Sequence, residues 1–244
     1  MKAFLLAAGH GTRLRPLTDR LPKCLLPIQG MPMLEIWLEQ CALLGIDEVL
    51  INIHSHANLV REFVAGHRGT TRVHVVEEKN LLGSAGTLRA NADWVSREPY
   101  FWIFYGDVLT NADLSQMLDT HLVKAQAATL GLYQVLDPKR CGVVTLDEND
   151  IVTQFVEKPT RPASDLAFAG LMVATPELLW AIPPRDPCDI GFDLLPRLSG
   201  RMAGYRISEY LIDIGTPNNY THAQQTWPGL HRMRRDHEAC YEQR

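Results

Sequence analysis

Short apolar segments alternate with amphipathic stretches through the first half of this 244-residue chain. Four of these segments are brief, rich in β-branched or aromatic residues and bounded by turn-forming residues, which predicts β-strands. They cover residues 3–8, 49–53, 73–76 and 101–105. Strands that alternate with helices are typical of βαβ units, so the pattern predicts a mostly parallel sheet whose strands are buried on both faces.

Apolar residues at helical spacing mark three helices between and after these strands. The first is predicted over residues 32–45, which begin with proline and end with glycine. The second is predicted around residues 88–95, and the third over residues 114–121. Asp113 or Asn111 would cap this third helix.

The second half of the chain has less helix between its apolar segments. Strands are predicted over residues 128–135, 143–146, 151–156 and 168–174. Such strands favour antiparallel additions that form a lid over the sheet. The predicted fold is therefore α/β, with a Rossmann-like, mostly parallel central sheet flanked by helices. One domain is expected over residues 1–227, followed by a polar tail over residues 228–244.

Composition excludes several classes of partner. The formal charge of −4 gives no overall basic field, so nucleic acid and anionic membranes are not expected partners. No window reaches the roughly 18 consecutive apolar residues of a membrane-spanning helix, and the apolar start of the chain is too short for a signal peptide. Five irregularly spaced cysteines form neither a disulfide framework nor a zinc pattern, which predicts a reducing cytoplasm.

The first predicted strand runs into a loop that carries glycines and positive charge. Gly9 and Gly11 allow backbone N–H groups to turn toward an anion, and Arg13 and Lys23 add charge. A dinucleotide-binding fingerprint would need another glycine at Leu14, and a Walker P-loop would need a G-x-x-x-x-G run before Lys23. Neither common phosphate-binding motif accounts for the loop.

The ordered pattern G-x-G-T-R-L-x-P-x-T-x-x-x-P-K over residues 9–23 resembles the signature loop of the sugar-1-phosphate nucleotidyltransferases. The resemblance implies that the loop wraps a triphosphate. It also implies that Arg13 holds the leaving pyrophosphate and that Lys23 contacts the α-phosphate under attack. The nucleotide-binding residues that it implies in this loop are Ala8, Gly9, Gly11 and Thr12.

Two aspartates follow apolar segments. Asp107 comes after Gly106 at the carboxyl end of a predicted strand, where ligands of open α/β sheets bind. Asp213 lies in the apolar segment 211–214, next to Gly215. Alone, each aspartate would be a turn former or a helix cap. The resemblance implies instead that both bind Mg²⁺, the kind of ion expected where phosphate charge accumulates.

A second charged element is similar to the family's E-K-P segment. Its Lys158 would contact the sugar phosphate and its Glu157 the sugar hydroxyls. Two nearby positions depart from the family pattern, because Cys141 replaces an aromatic residue and Phe168 replaces an asparagine. The sugar-binding residues that the resemblance implies are Gly142, Glu157 and Gly170, and the lid of antiparallel strands would lie on this sugar side.

Two further segments bear on the nucleobase. The L-G-S-A-G run over residues 82–86 resembles the family element near the base, with Gly83 and Gly86 as nucleotide-binding residues. The same run also fits a loop with a helix cap at Ser84. It is more similar to guanylyltransferases than to thymidylyltransferases. The run over residues 212–220 resembles heptose- and mannose-1-phosphate guanylyltransferases, which favours GTP.

The predicted reaction joins an NTP and a sugar 1-phosphate into an NDP-sugar and pyrophosphate, with Mg²⁺ and no general base. A uridylyl-, thymidylyl- or cytidylyltransferase of the same family stays open as an alternative. So does a regulatory subunit that binds nucleotide sugar without turnover. The identity of the sugar and a homo-oligomeric state are also left open. Asp189 and Asp193 are left outside the predicted site.

Overall fold

A computed structural model describes residues 1–230 and forms one large sheet covered by helices on both faces. The strands are β1 (Lys2–Leu6), β2 (Pro27–Ile28), β3 (Met31–Pro32), β4 (Glu48–Ile53), β5 (Arg72–Glu77), β6 (Phe101–Tyr105), β7 (Val108–Thr110), β8 (Ala128–Gln134), β9 (Gly142–Leu146), β10 (Val152–Glu157), β11 (Leu166–Ala174), β12 (Met202–Arg206) and β13 (Leu211–Asp213). The α-helices are α1 (Met33–Leu43), α2 (Ala57–Gly66), α3 (Ser84–Ala90), α4 (Ala92–Val95), α5 (Leu114–Lys124) and α6 (Pro217–Thr226).

The large sheet has a parallel centre and antiparallel additions. Its order is β10-β9-β11-β6-β1-β4-β5, while β8 pairs with β11 and β12 pairs with β8. Strands β6, β1, β4 and β5 run parallel to one another, whereas β9, β10 and β11 are joined by antiparallel pairing. The predicted α/β fold class is therefore confirmed.

Alternating residues of the central strands build two cores. In β1, Leu5 packs on the face covered by α1, α2, α5 and α6, whereas Phe4 packs on the face covered by α3 and α4. In β6, Trp102 and Phe104 face the first core and Phe101 faces the second. Because both faces are buried, the strands are continuously apolar, as parallel strands usually are.

The structure corrects two predicted boundaries. The first strand ends at Leu6 rather than at residue 8, because the Ala7 N–H donates to the Asn52 side chain at 2.7 Å instead of continuing the strand pairing. The helix predicted around residues 88–95 is two short helices. At Asn91 the backbone leaves the helical conformation, and its side-chain amide donates to the Thr87 carbonyl at 2.9 Å.

Several elements were missed from the sequence, among them the helix α2 and the short strands β2, β3 and β7. Strand β12 pairs in parallel with β8, and α6 is a polar helix whose start is capped by the Thr216 hydroxyl, which accepts from Asn219 N. The Thr216-Pro217 pair was an available start signal for this helix. From residue 231 onward the predicted tail lies outside the described residues. Within residues 1–230, no helix is long and apolar enough to cross a membrane.

The cap of α5 supports a stability prediction. The Asp113 carboxylate accepts from the N–H groups of Ser115 at 3.1 Å and Gln116 at 3.4 Å. We expect Asp113→Ala to lower the free energy of unfolding by about 1 kcal/mol, the usual cost of losing such a cap. Urea unfolding measures this loss, and Asp119→Ala on the exposed side of the same helix is the control. Equal losses in both variants would contradict the capping role.

Candidate active site

The loops that follow several strands meet at one edge of the large sheet. The Gly106 N–H donates to the Leu6 carbonyl at 2.9 Å, which joins the ends of β1 and β6. Beyond them, β7 and β13 form a separate antiparallel pair in which Val108 lies opposite Asp213. Asp107, just before β7, and Asp213, at the end of β13, are therefore brought to the same place.

Four charged residues predicted for the site lie together at this edge. The Lys23 ammonium is 2.5 Å from Asp107 Oδ2 and 3.7 Å from Asp213 Oδ1. Its side chain is only 11% exposed, so the charge is held against the two carboxylates. Gly215 packs against Lys23, Arg13 and Asp213, because a Cβ there would lie within 2.9 Å of an atom from each.

The two carboxylates fit a magnesium ion. Both reach one positively charged nitrogen, so a divalent cation near that point would find an oxygen from each. Within residues 1–230, no group of three or more His, Cys, Asp or Glu side chains is arranged to hold a metal. Mg²⁺ suits such a pair, because it usually takes one or two carboxylates and completes its octahedron with water and substrate phosphates.

Two cavities adjoin the charged cluster and share Tyr105 and Asp107. The first cavity, of about 240 Å³, lies between the loop after β1 and the loop before α3. The second cavity, of about 630 Å³, lies beside β9, β11 and the end of β10. Arg13 and Asp213 line the second cavity, and Lys23 lines the first.

A buried polar network fixes the walls of the first cavity. Glu78 Oε1 accepts from Asn52 Nδ2 at 2.8 Å and from the Thr87 hydroxyl at 2.5 Å, and its Oε2 accepts from Leu82 N at 3.0 Å. The Asn52 carbonyl oxygen accepts from Ala7 N at 2.7 Å. Buried networks whose hydrogen bonds are all made are rigid. The loop after β1 and the loop before α3 are therefore held at a fixed distance from each other. A polar Asn52 within an apolar strand was the available sequence signal.

Only some of the residues predicted to bind nucleotide line the first cavity. Ala8, Gly9 and Gly83 line the first cavity. Gly11, Thr12 and Gly86 line neither of the two cavities, and all three stay predictions. Gly11 adopts a φ of 63°, and Gly86 packs so closely that a Cβ would lie 2.8 Å from Asp186 Oδ1.

The predicted sugar-side residues all line the second cavity. Glu157 Oε2 lies so close to Gly142 that a Cβ there would be 2.5 Å away. Gly170 has a φ of 73° and faces Tyr105, whose Cβ would be 3.0 Å from an added methyl group. Lys158 is exposed, with its ammonium 3.7 Å from Glu157 Oε1. The positive φ and the close Tyr105 contact therefore require glycine at Gly170, whereas a Cβ at Gly142 would displace the end of the Glu157 side chain.

The second cavity also contains residues that the sequence did not identify. Tyr133 of β8 lies next to Cys141, so an aromatic ring adjoins the position where the family pattern has one. Phe192 lies under the Lys158 ammonium, which is 5.3 Å from the ring centroid. Asp189 lines the same cavity and caps the turn that carries Phe192.

Glu157 is expected to make the protein less stable as the pH rises. Burial raises the pKa of Glu157 above its ordinary value of about 4.3; Lys158 opposes this and Asp189 adds to it. Between the ordinary and the raised pKa, the folded state keeps a proton that the unfolded state has lost. The free energy of unfolding that Glu157 contributes is therefore lost as the pH rises from its ordinary pKa through its raised pKa.

We expect Glu157→Gln to unfold at a higher temperature than the wild type at pH 7.5, with the difference disappearing near pH 4. The ion pair with Lys158 does not offset this gain, because Lys158 is largely exposed and exposed pairs contribute little. Thermal unfolding at both pH values measures the difference. Glu148→Gln, at an exposed position, is the control. A lower midpoint for Glu157→Gln at pH 7.5 would contradict the assigned cost of burial.

Gly215→Ala is expected to separate activity from stability. The added Cβ would fall 2.8 Å from Lys23 Nζ, 2.9 Å from Arg13 Nη2 and 2.7 Å from Asp213 Oδ1. These side-chain ends can move aside, so we expect little change in unfolding temperature. We expect turnover to fall by about tenfold or more, since misplacement of positioning groups by an ångström costs up to about 10²-fold. Unchanged turnover would show that catalysis does not depend on the exact positions of Lys23, Arg13 and Asp213.

Comparison with known proteins identifies relatives of the chain. Residues 2–228 match the family model described as nucleotidyl transferase. Mannose-1-phosphate guanylyltransferase of Mycobacterium tuberculosis is 35% identical over 89% of this chain and 62% of its own length. UTP–glucose-1-phosphate uridylyltransferase of Synechocystis is 32% identical over 81% of this chain and 55% of its own length. The chain thus spans less than two thirds of either relative.

The fold is also shared with a solved structure. HddC from Yersinia pseudotuberculosis superposes with a TM-score of 0.77 at 21% identity, covering 93% of this chain and 99% of that one. At this identity the likeness concerns the fold. The match over residues 2–228 nevertheless extends across nearly all of the described chain, and on that ground the chain belongs to the nucleotidyl transferase family.

Proposed function

We propose that this chain transfers a nucleoside monophosphate from an NTP to a sugar 1-phosphate and releases pyrophosphate. The observation that carries the proposal is the cluster of Arg13, Lys23, Asp107 and Asp213 between two cavities. The smaller cavity suits the nucleotide and the larger one the sugar phosphate. A reaction between two phosphates needs positive charge where the two substrates meet.

In the proposed reaction, an oxygen of the sugar phosphate attacks the α-phosphorus of the NTP. A new P–O bond forms while the bond between the α-phosphorus and its bridging oxygen breaks, and the electron pair leaves with pyrophosphate. The attacking oxygen is already negatively charged near neutral pH, so no general base is required. Catalysis then consists of positioning and of stabilising developing charge.

Each charged residue has a proposed task. Lys23 donates to the α-phosphoryl oxygens, Arg13 holds the leaving pyrophosphate and Lys158 holds the sugar phosphate. Asp107 and Asp213 hold Mg²⁺, which when bound neutralises phosphate charge. The nucleotide contacts are proposed at Ala8, Gly9, Gly11, Thr12, Gly83 and Gly86, and the sugar contacts at Gly142, Glu157 and Gly170.

We propose GTP as the nucleotide and a mannose- or heptose-type sugar 1-phosphate as the acceptor. The guanylyltransferase among the relatives supports this choice, as does the run over residues 212–220. The uridylyltransferase at similar identity makes UTP with glucose 1-phosphate the second candidate.

The domain and its setting are also proposed. We propose residues 1–227 as the transferase unit, which the family match over residues 2–228 supports. A cytoplasmic setting is supported by Cys24, Cys41, Cys141 and Cys188, which are all free thiols within residues 1–230.

A pyrophosphate-release assay tests the proposal. The protein is incubated with Mg²⁺, each of five NTPs and a panel of mannose, heptose and glucose 1-phosphates. We expect pyrophosphate release to be fastest with GTP and a mannose- or heptose-type acceptor. If release is fastest with UTP and glucose 1-phosphate instead, the proposed substrates are wrong but the proposed reaction stands. No release with any pair, although nucleotide binds, would favour a regulatory subunit.

A further inference from the structure

The loop over residues 82–86 and the turn over residues 188–192 are hydrogen-bonded to each other although they line different cavities. The Cys188 carbonyl accepts from two backbone N–H groups in the first turn of α3, at 2.9 and 3.0 Å. The Cys188 N–H donates back to the Leu82 carbonyl at 2.8 Å. The two segments therefore form a continuous backbone contact between the first and second cavities.

Ser84 is the side chain that joins them. Its hydroxyl donates to Asp189 Oδ2 at 2.9 Å and accepts from Ile190 N at 2.7 Å. Ser84 is the first residue of α3 and not its cap, because Gly83 occupies the capping position. Ser84 also lines the first cavity, so its hydroxyl connects a nucleotide-side wall to a sugar-side acid.

Asp189 extends this connection into the turn that it caps. Its Oδ1 accepts from Gly191 N at 2.8 Å and from Phe192 N at 3.1 Å. Both carboxylate oxygens therefore accept hydrogen bonds from the protein itself, Oδ2 from Ser84 and Oδ1 from the turn. These three hydrogen bonds fix the carboxylate between Ser84 and the turn, which makes Asp189 a positioning residue.

The turn contacts the charged residues proposed for the sugar phosphate and sugar. The Phe192 ring lies under the Lys158 ammonium at 5.3 Å. Gly191 packs against Glu157 so closely that a Cβ would lie 2.5 Å from Glu157 Oε2. A displacement of the turn would therefore move the surroundings of both Lys158 and Glu157.

We infer that the Ser84–Asp189 hydrogen bond couples the two substrates, so that nucleotide bound in the first cavity raises the affinity for sugar 1-phosphate in the second. The inference rests on the proposed function. Nucleotide contact with the loop over residues 82–86 fixes Ser84, which fixes Asp189, the turn, and the position of Lys158. Because coupling between binding sites is reciprocal, the sugar phosphate raises the affinity for the nucleotide by the same factor.

Calorimetric titration measures the coupling. The sugar 1-phosphate that supports the fastest turnover is titrated, in Mg²⁺, into protein with and without saturating GTP analogue whose α,β-bridge is a methylene group and cannot be cleaved. The ratio of the two dissociation constants is the coupling factor. In the wild type we expect at least about fivefold tighter binding with the analogue, the lower end of usual coupling.

Variants at Ser84 decide whether this hydrogen bond carries the coupling. We expect Ser84→Ala to bring the factor close to one, and Ser84→Thr, which keeps the hydroxyl, to restore it. Ser96→Ala removes an exposed hydroxyl bound to the Asp93 carbonyl and should keep the wild-type factor. A general loss of stability would not move this ratio.

Two results would overturn the inference, namely a wild-type factor of one or an unchanged factor in Ser84→Ala. Either result would leave the proposed function intact if pyrophosphate is still released. Failure of every NTP and sugar 1-phosphate pair to react would instead count against the proposed function itself.

Discussion

Replacing Lys23 with alanine is expected to lower kcat by about 10²–10³-fold, the usual loss when one well-placed charge-stabilising donor is removed. The ammonium is held 2.5 Å from Asp107 and lines the first cavity, next to the proposed position of the α-phosphate. Lys23 is 11% exposed but Asp107 is 34% exposed, so water can reach the carboxylate that is left, and the loss of unfolding free energy should stay below the roughly 3–5 kcal/mol of a fully buried broken pair. The variant should therefore stay folded while its turnover falls.

Pyrophosphate release and urea unfolding, measured on the same preparation, test this separation. Lys124→Ala, at the carboxyl end of α5, removes a lysine that lines neither cavity and should keep wild-type turnover. If a folded Lys23→Ala protein turned over at nearly the wild-type rate, the role of this ammonium would be wrong. A Lys124→Ala protein that lost as much activity would show that the loss is not specific to the cluster.

Asp107→Asn is expected to lower turnover by a similar factor of about 10²–10³ and to raise the Mg²⁺ concentration needed for half-maximal rate. Asparagine keeps the size of the side chain but removes the charge that a hard divalent cation prefers. The substitution also releases Lys23 from its closest carboxylate. Both effects act at the junction of the two cavities.

A Mg²⁺ titration of the initial rate measures this prediction. Asp119→Asn changes an exposed aspartate of α5 and should leave the titration curve unchanged. If Asp107→Asn lowered the rate without shifting the Mg²⁺ dependence, Asp107 would act only through Lys23. A normal rate at ordinary Mg²⁺ would remove Asp107 from the site.

The charged cluster could be predicted from the resemblance to a known family, because each aspartate alone would be a turn former or a helix cap. Lys23 and Asp107 are 84 residues apart, yet each follows a strand of a parallel sheet. The carboxyl ends of such strands meet at one edge of the sheet. The parallel centre was predictable because continuous apolar runs mark strands buried on both faces.

The contacts between loops could not be predicted from local patterns. Ser84 looked like a helix cap, but its hydroxyl bonds to Asp189, which is 105 residues away. Nothing in the spacing of the intervening residues determines that pairing. Glu78, which follows β5, is likewise buried by the fold, together with Asn52 and Thr87. Tertiary packing decides whether such polar groups stay solvated or become buried partners.

The proposed reaction requires that the glycine-rich loop and the two aspartates enclose a single metal-bound nucleotide. Electron paramagnetic resonance of Mn²⁺, used in place of Mg²⁺, measures this directly with the α,β-methylene analogue of GTP. We predict tight Mn²⁺ binding that requires both the analogue and the two aspartates, and that disappears in an Asp107→Asn and Asp213→Asn double variant. Equal Mn²⁺ binding by the double variant would contradict this prediction.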